Sequence, residues 1–542
     1  MRQLPALFCL SLIVAFGPTA APASAQCNPQ EQAEFSAAGG VSGDLFGKVL
    51  ARSGDTLVIG APESNEAYVF ERDYGPGGPW VETNTLTDMA QAFGAAVAID
   101  GDTLAVGTQK SIGKGNVRIY ERDQGGPGNW GEVVKIQSST IQGGDAFGGH
   151  LALDGDTLLV GAHLAIRGSK QQAGAAYVFE RNQGGPDQWG EVQEFAPPAM
   201  TWGQFGAGLA IEGDRLAIGQ PNQYGIANPN ARVRIYERTA GVWSIAKNLY
   251  PSGGNTGGQF GTALALQADE LVVGAPYETQ GTVYVFERNT GGADAWGALI
   301  KLRPETPGGQ VGQSVDIDGD LLVAGAPHRG VPLNSGRVLL YGRGFAGATW
   351  GQMSKIGATT AQTQDFVGTA VALSGGELVA GTEADNNVGL VYHFEGLVEF
   401  PHKYCPSGLS ASTCLSVICA SGTASATTAS GFVVEALDME GNKNGLFYFG
   451  TNGQQAAPWG DGRSFQCVVG PVSRGAVLSG GGTTGNCDGT FSYDLNARWA
   501  QKPSQNPGAG AVVQLQLWTR DPLNTSAQKT ILSNALQFTV MP

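Results

Sequence analysis

From residue 31 onward, short stretches of alternating apolar and polar residues are separated by Gly, Asp, Asn and Pro, the period-two signature of half-buried strands joined by tight turns. Val97 to Asp100, a corner at Gly101-Asp102, and Thr103 to Val106 read as one hairpin. A third strand follows as Tyr68-Val69-Phe70-Glu71-Arg72, again at Tyr177 and Tyr284 and less cleanly at Tyr392. A fourth begins near Trp130, Trp189, Trp243, Trp296 or Trp350. The first strand is rich in small residues, as in Ala95-Ala96-Val97-Ala98 and Thr262-Ala263-Leu264-Ala265, which suits an innermost position where units crowd about an axis. No amphipathic helix is predicted in the mature chain.

The unit recurs seven times. Aligning Phe46-Gly47, Phe93-Gly94, Phe147-Gly148, Phe205-Gly206, Phe260-Gly261, Val311-Gly312 and Val367-Gly368 brings a second glycine into register at Gly60, Gly107, Gly161, Gly219, Gly274, Gly325 and Gly381. The offset is thirteen residues in every copy, although the copies lie 47 to 58 residues apart. Four antiparallel strands per unit, repeated radially, make a propeller blade. The seventh unit has no Trp-led fourth strand, whereas Glu31 to Phe35 precedes the first Phe-Gly much as Glu191 to Phe195 precedes the fourth. The N-terminal strand 31–35 is therefore expected to be the outer strand of the last blade and to close the ring.

These residues resemble the FG-GAP repeats of integrin α-subunit propellers, and more closely a bacterial branch of that family whose units read Phe-Gly, Gly-Asp-Thr-Leu-Val-Val-Gly-Ala-Pro, Tyr-Val-Phe-Glu-Arg and Trp. The resemblance covers residues 31–397 and implies a rigid binding platform. Integrin-like blades often carry Asp-rich calcium loops between their first two strands. Asp316, Asp318 and Asp320 come nearest, but Leu321 stands where the loop glycine belongs, so a solvated hairpin turn without metal is expected.

After Pro401 the repeat stops. Alternation returns at Gly431 to Leu437, Leu446 to Phe449, Phe465 to Val469, Phe491 to Leu495, Val512 to Trp518 and Leu536 to Val540, which predicts a small β-sandwich. The segments Tyr404-Cys405, Gly445 to Gly450 and Cys487 to Phe491 resemble a C-terminal module of exported bacterial repeat proteins. The predicted fold is all-β: a signal peptide over 1–25, a seven-bladed propeller over 26–399, and a disulfide-containing sandwich over 400–542.

Arg2, an apolar run from Leu7 to Phe16, and Ala23-Ser24-Ala25 have the layout of a cleavable secretion signal, which places the mature chain outside the cell or on its surface. Its loss moves the formal charge from -15 to -16, a balance opposed to phosphate-backbone binding. No later stretch is apolar enough for a transmembrane segment. Six of the seven cysteines remain, Cys27, Cys405, Cys414, Cys419, Cys467 and Cys487. Their pairing is open among fifteen arrangements. Cys467–Cys487, Cys405–Cys414 and Cys27–Cys419 are the preferred set.

Candidate chemistry is sparse. The five histidines show no ligand spacing and read as surface residues, although His163 and His328 fall in equivalent loops. Recurrent Glu-Arg pairs read as structural caps, and the repeated Trp residues as packing. Neither a catalytic constellation nor a cofactor is predicted. The loops between second and third strands do vary: from the second glycine to the position equivalent to Tyr68 the offsets are 8, 11, 16, 15, 10, 14 and 11, whereas the Gly-Asp corner keeps its length. Variation on one rim marks a binding face. The candidate ligand residues there are His163, Arg167, Trp202, Gln223, Tyr224, His328 and Arg329, suited to a glycan or an extracellular protein. A binding or adhesion scaffold is preferred over a polysaccharide-active enzyme and over a purely structural matrix component. Nothing in the sequence fixes an oligomeric state.

Overall fold

The computed structural model describes residues 30–542 except 38–39, 73–77, 90–91, 110–112, 184, 197–200, 223–230, 253–257, 280, 305–308, 328–334, 346–348, 359, 362–364, 384–388, 396, 398–401, 405–413, 415–416, 422–423, 460–463 and 521–529. The chain divides into two compact units, with the boundary between Glu399 and Phe400.

The first unit holds seven four-stranded antiparallel sheets, six of them built from consecutive strands. Blade 2 is typical, with Phe93–Asp100, Thr103–Thr108, Asn116–Arg122 and Trp130–Ile136 in spatial order. The seventh is composite. Ala370–Ser374, Glu377–Gly381 and Val391–Glu395 are completed by Gln30–Phe35, which pairs with Val391–Glu395 and supplies the closing strand. First strands of successive blades lie beside one another right round the axis, Ala370–Ser374 returning to Val49–Ser53. The small residues of these strands thus sit where blades are closest.

The invariant thirteen-residue offset has a steric cause. Each Phe-Gly glycine has a left-handed backbone, from φ +83° at Gly148 to +95° at Gly261. In blades 3 to 7 its N–H donates to the carbonyl of the second glycine of its own blade, as in Gly148 to Gly161 at 3.0 Å and Gly312 to Gly325 at 3.0 Å. Its carbonyl abuts the second glycine of the preceding blade. A Cβ on Gly60 would overlap the carbonyl of Gly94, one on Gly274 that of Gly312, and one on Gly381 that of Gly47. The cycle runs through all seven blades. The residue before each Phe-Gly glycine, from Phe46 to Val367, is buried between blades.

The second unit contains a six-stranded sheet and a three-stranded sheet. They share one core that includes Ile418, Val434 and Phe491 from the smaller sheet and Phe447, Leu515 and Phe538 from the larger. A separate hairpin pairs Gln454–Trp459 with Ser464–Val468. One helix, Leu495–Gln501, departs from the expected strand ending at Leu495. Asp494 caps it by accepting from the Ala497 N–H at 2.9 Å, and Leu495 and Trp499 bury. Its seven residues are too few for a helical period to stand out.

The disulfide pairing also differs from expectation. Cys414 bonds Cys487, with their Cα atoms 5.4 Å apart, so neither Cys467–Cys487 nor Cys405–Cys414 forms. Strands Val417–Ser421 and Gly489–Asp494 flank Val433–Met439 and both run antiparallel to it. Cys414 and Cys487 therefore enter the smaller sheet from the same end, whereas Cys467 lies in the separate hairpin. Cys467 is disulfide-bonded as well. Cys27, Cys405 and the side chain of Cys419 lie outside the described residues.

Candidate functional site

The two faces of the propeller are built differently. On the Gly-Asp corner face, the recurrent Glu-Arg pairs tie neighbouring blades together rather than capping single ones. Arg238 of blade 4 reaches Glu180 of blade 3 at 2.8 Å, while its Nε holds its own corner carboxylate, Asp214, at 2.7 Å. Arg122 does the same with Glu71 and Asp102, and Arg181 with Glu121 and Asp156. In blades 5 and 7 the partner acid stands at the start of the second strand: Arg343 takes Glu270, and Arg72 takes Glu377. These arginines also lie over the repeated indoles, Arg122 at 4.7 Å from the centroid of Trp130 and Arg343 at 4.8 Å from that of Trp350. The tryptophans are accordingly packing residues, Trp350 being only 2% exposed.

A second set of ties runs through the corner backbone. The N–H of Gly155 donates to Asp100 of the preceding blade at 2.7 Å, that of Gly319 to Gln267 at 2.8 Å and that of Gly375 to Asp318 at 2.6 Å. The Asp316, Asp318 and Asp320 carboxylates thus serve separate partners. Asp316 accepts from Leu373 N–H at 2.7 Å, Asp318 from Gly375, and Asp320 from Arg343 Nε at 2.9 Å. Burial pushes the Asp316 carboxyl up to about 6. Each corner has to meet a neighbour in register, and so its length is fixed.

The opposite face is held mainly by backbone. Gly174, Gly281 and Gly336, at the ends of second-to-third loops, form parallel bridges with Phe205, Val311 and Val367 of the next blade. Trp202, partly buried and with φ +62°, donates its N–H to the Gln171 carbonyl at 2.8 Å, which joins it to the long loop of blade 3. Arg167 is drawn inward: its guanidinium donates to the Tyr177 hydroxyl and to Glu194, both at 2.8 Å. Gln223, Tyr224, His328 and Arg329 lie outside the described residues.

His163 packs edge-on against His150, with ring centroids 4.7 Å apart. Burial lowers His163 to about 4 and His150 to about 3, the latter helped by the neighbouring ring. His163 Nδ1 is buried and carries no hydrogen bond among the described residues. The pairing was legible in principle. The antiparallel first hairpin of blade 3 sets His150 opposite Gly161, so His163, two residues further on, is its diagonal neighbour on the same face.

Among the described residues, His393 is a further histidine that does not behave as a surface residue. It occupies the middle of a third strand, where Val69 stands in blade 1, and is 2% exposed. Its Nε2 lies 3.1 Å from Arg72 Nη2 and 3.5 Å from Glu377. An arginine donates only, so this nitrogen accepts and the ring is neutral. Glu377, His393 and Glu395 have donor atoms within 4.8 Å of one another, a spacing a metal could use. Glu377 is already held by Arg72 and by Arg52, the latter at 2.6 Å, and the cluster works as an ion-pair lock between blades 7 and 1.

Burial depresses His393 to about 4. A depressed histidine stabilises the fold above its unfolded pKa of about 6.5 and loses that contribution as pH falls through about 4, at about 1.4 kcal/mol per unit. His150 and His163 act in the same direction, and Asp316 in the opposite one. Denaturant melts between pH 7 and pH 4 are expected to show His393→Gln losing less stability on acidification than the unsubstituted chain. Parallel curves would refute the assignment.

Among the described residues no helix is long and apolar enough to cross a membrane. The FG-GAP repeat family matches residues 29–70, 130–179 and 243–286. Each match begins in an outer strand and ends in the third strand of the following blade, the first starting at the strand that closes the ring. Among solved structures, the chain is similar to one described as the crystal structure of the mitotic checkpoint complex, at 15% identity over 72% of this chain and 99% of that one, with a TM-score of 0.46. It is also similar to Saccharomyces cerevisiae Sqt1, at 11% identity over 68% of this chain and 99% of that one, with a TM-score of 0.41. The chain carries FG-GAP repeats at three places, within seven four-stranded sheets arranged as a β-propeller.

Proposed function

We propose that this is an exported binding protein of the integrin-like FG-GAP class, holding a glycan or an extended protein segment on the propeller face that carries the second-to-third loops. The observation that carries this reading is the contrast between faces. Corners that tie blade to blade keep one length, while the loops opposite run from 8 to 16 residues between fixed points. Loops released from packing constraints are where recognition residues accumulate. The Cys414–Cys487 bond supports an oxidising compartment, in keeping with the signal-like N-terminus.

Trp202 is the first residue to test, because it is only partly buried and its backbone is anchored to Gln171. The full chain is to be screened on arrays of glycans and of extracellular-matrix peptides, with an assay for reducing-sugar release in parallel. Trp202→Ala is expected to weaken the ligand so found at least tenfold with unchanged melting, whereas Asp156→Asn in a corner leaves affinity intact. Loss of binding in the corner variant but not in Trp202→Ala would reverse the face assignment. Turnover would move the protein to a polysaccharide-active enzyme.

A further inference from the structure

Strand alternation in the larger sheet of the C-terminal unit sends Phe447, Phe449, Leu515 and Leu517 into the main core. The intervening residues, among them Leu446, Tyr448 and Trp518, face the other way and form a separate small cluster with Val468, Leu532 and Trp459. Beside that cluster lies a cavity of about 250 Å³, lined by Tyr448, Trp459, Trp518, Leu532, Gln466 and Arg474 among others. Tyr448 and Leu532 are buried and make its floor, Trp459, Trp518 and Gln466 are partly buried, and Arg474 is exposed at its mouth.

The aromatic rings are fixed before any ligand arrives. Trp459 spends its Nε1–H on the Thr530 hydroxyl at 3.0 Å, and the Tyr448 hydroxyl is bonded to Gln516. Gln516 in turn clamps the hairpin that carries Trp459, donating to the Phe465 carbonyl at 2.8 Å and accepting from Cys467 N–H at 3.0 Å. The polar tips of Trp459 and Tyr448 are consumed internally, so what these two side chains offer the cavity is apolar ring surface. The amide of Gln466 and the guanidinium of Arg474 supply polar groups at its edge.

From this arrangement we infer that the C-terminal unit binds a single pyranose ring, the terminal or a side-branch sugar of a glycan. Flat aromatic walls suit the C–H face of a sugar, and a planar amide with a guanidinium suits adjacent hydroxyls or a ring carboxylate. Sites for drug-sized molecules begin at about 300 Å³, so this cavity fits one ring and not an oligomer. A preorganised wall lowers the ordering cost of binding.

The test is saturation-transfer NMR on the full chain with methyl glucoside, methyl galactoside, N-acetylglucosamine and methyl glucuronide as probes. At least one is expected to bind, and Arg474→Ala to weaken it at least tenfold; preference for the glucuronide would assign the guanidinium to a carboxylate. Arg474 is exposed, so this variant should melt like the parent, and Trp518→Ala should abolish the signal. Trp202→Ala on the propeller should leave it unchanged. Absence of transfer to every probe would overturn the inference, as would a signal that survives both Arg474→Ala and Trp518→Ala. Loss in Trp202→Ala alone would overturn it too, while supporting the propeller face.

Discussion

Gly274→Ala is expected to destabilise the propeller by about 3 kcal/mol or more, although it adds one methyl group. Gly274 lies in a buried strand of blade 5, and a Cβ there would overlap the carbonyl of Gly312 in blade 6. Backbone faces backbone, so no rotamer change relieves the clash, and the two blades must separate. Gly312 cannot give way easily, since its own N–H is bonded to the Gly325 carbonyl at 3.0 Å. Gly319→Ala is the control. It has φ +59° with open space around an added Cβ, so only the conformational cost of about 1 kcal/mol is expected. Calorimetry on both variants decides the matter: equal losses would mean that the glycine register is a matter of turn geometry and not of blade contact.

Removing residues 30–36 should have a still larger effect. The closing strand pairs at five positions with Val391–Glu395, and at roughly 1 kcal/mol net for each the loss is about 5 kcal/mol before side chains are counted. Phe35 also packs on Phe70 of blade 1 with ring centroids 5.1 Å apart, so the strand joins the last blade to the first. The truncated ring presents an unpaired edge, and concentration-dependent association is expected alongside the lowered melting temperature. A peptide covering residues 28–37 should restore melting when added in trans, by strand addition. Unchanged melting of the truncated chain, or rescue by a scrambled peptide equal to that by the native one, would show that closure does not depend on this strand.

Sequence alone determined the propeller. Period-two alternation, the Gly-Asp corners and the thirteen-residue glycine register are local patterns repeated seven times, and repetition turns weak signals into a strong one. The composite last blade was legible for the same reason, because a missing fourth strand at one end matched a surplus strand at the other. Tertiary structure decided whatever depends on which distant residues meet. That the Glu-Arg pairs bridge blades follows from Arg238 reaching Glu180, 58 residues earlier, a distance at which composition carries no information. The fate of His393 was hidden because its neighbours Glu377 and Arg72 come from the second strand of its own blade and from the first blade, 321 residues earlier in the chain. Cys414 found Cys487 across a separation of 73 residues because two strands enter one sheet from the same end, a fact of topology and not of spacing. The walls of the tail cavity come from several strands spread between Leu446 and Leu532, so neither Trp459 nor Trp518 announces it singly. Local periodicity fixes elements through short-range sterics and burial, whereas sites and cross-links are set by long-range packing that only the folded chain brings into contact.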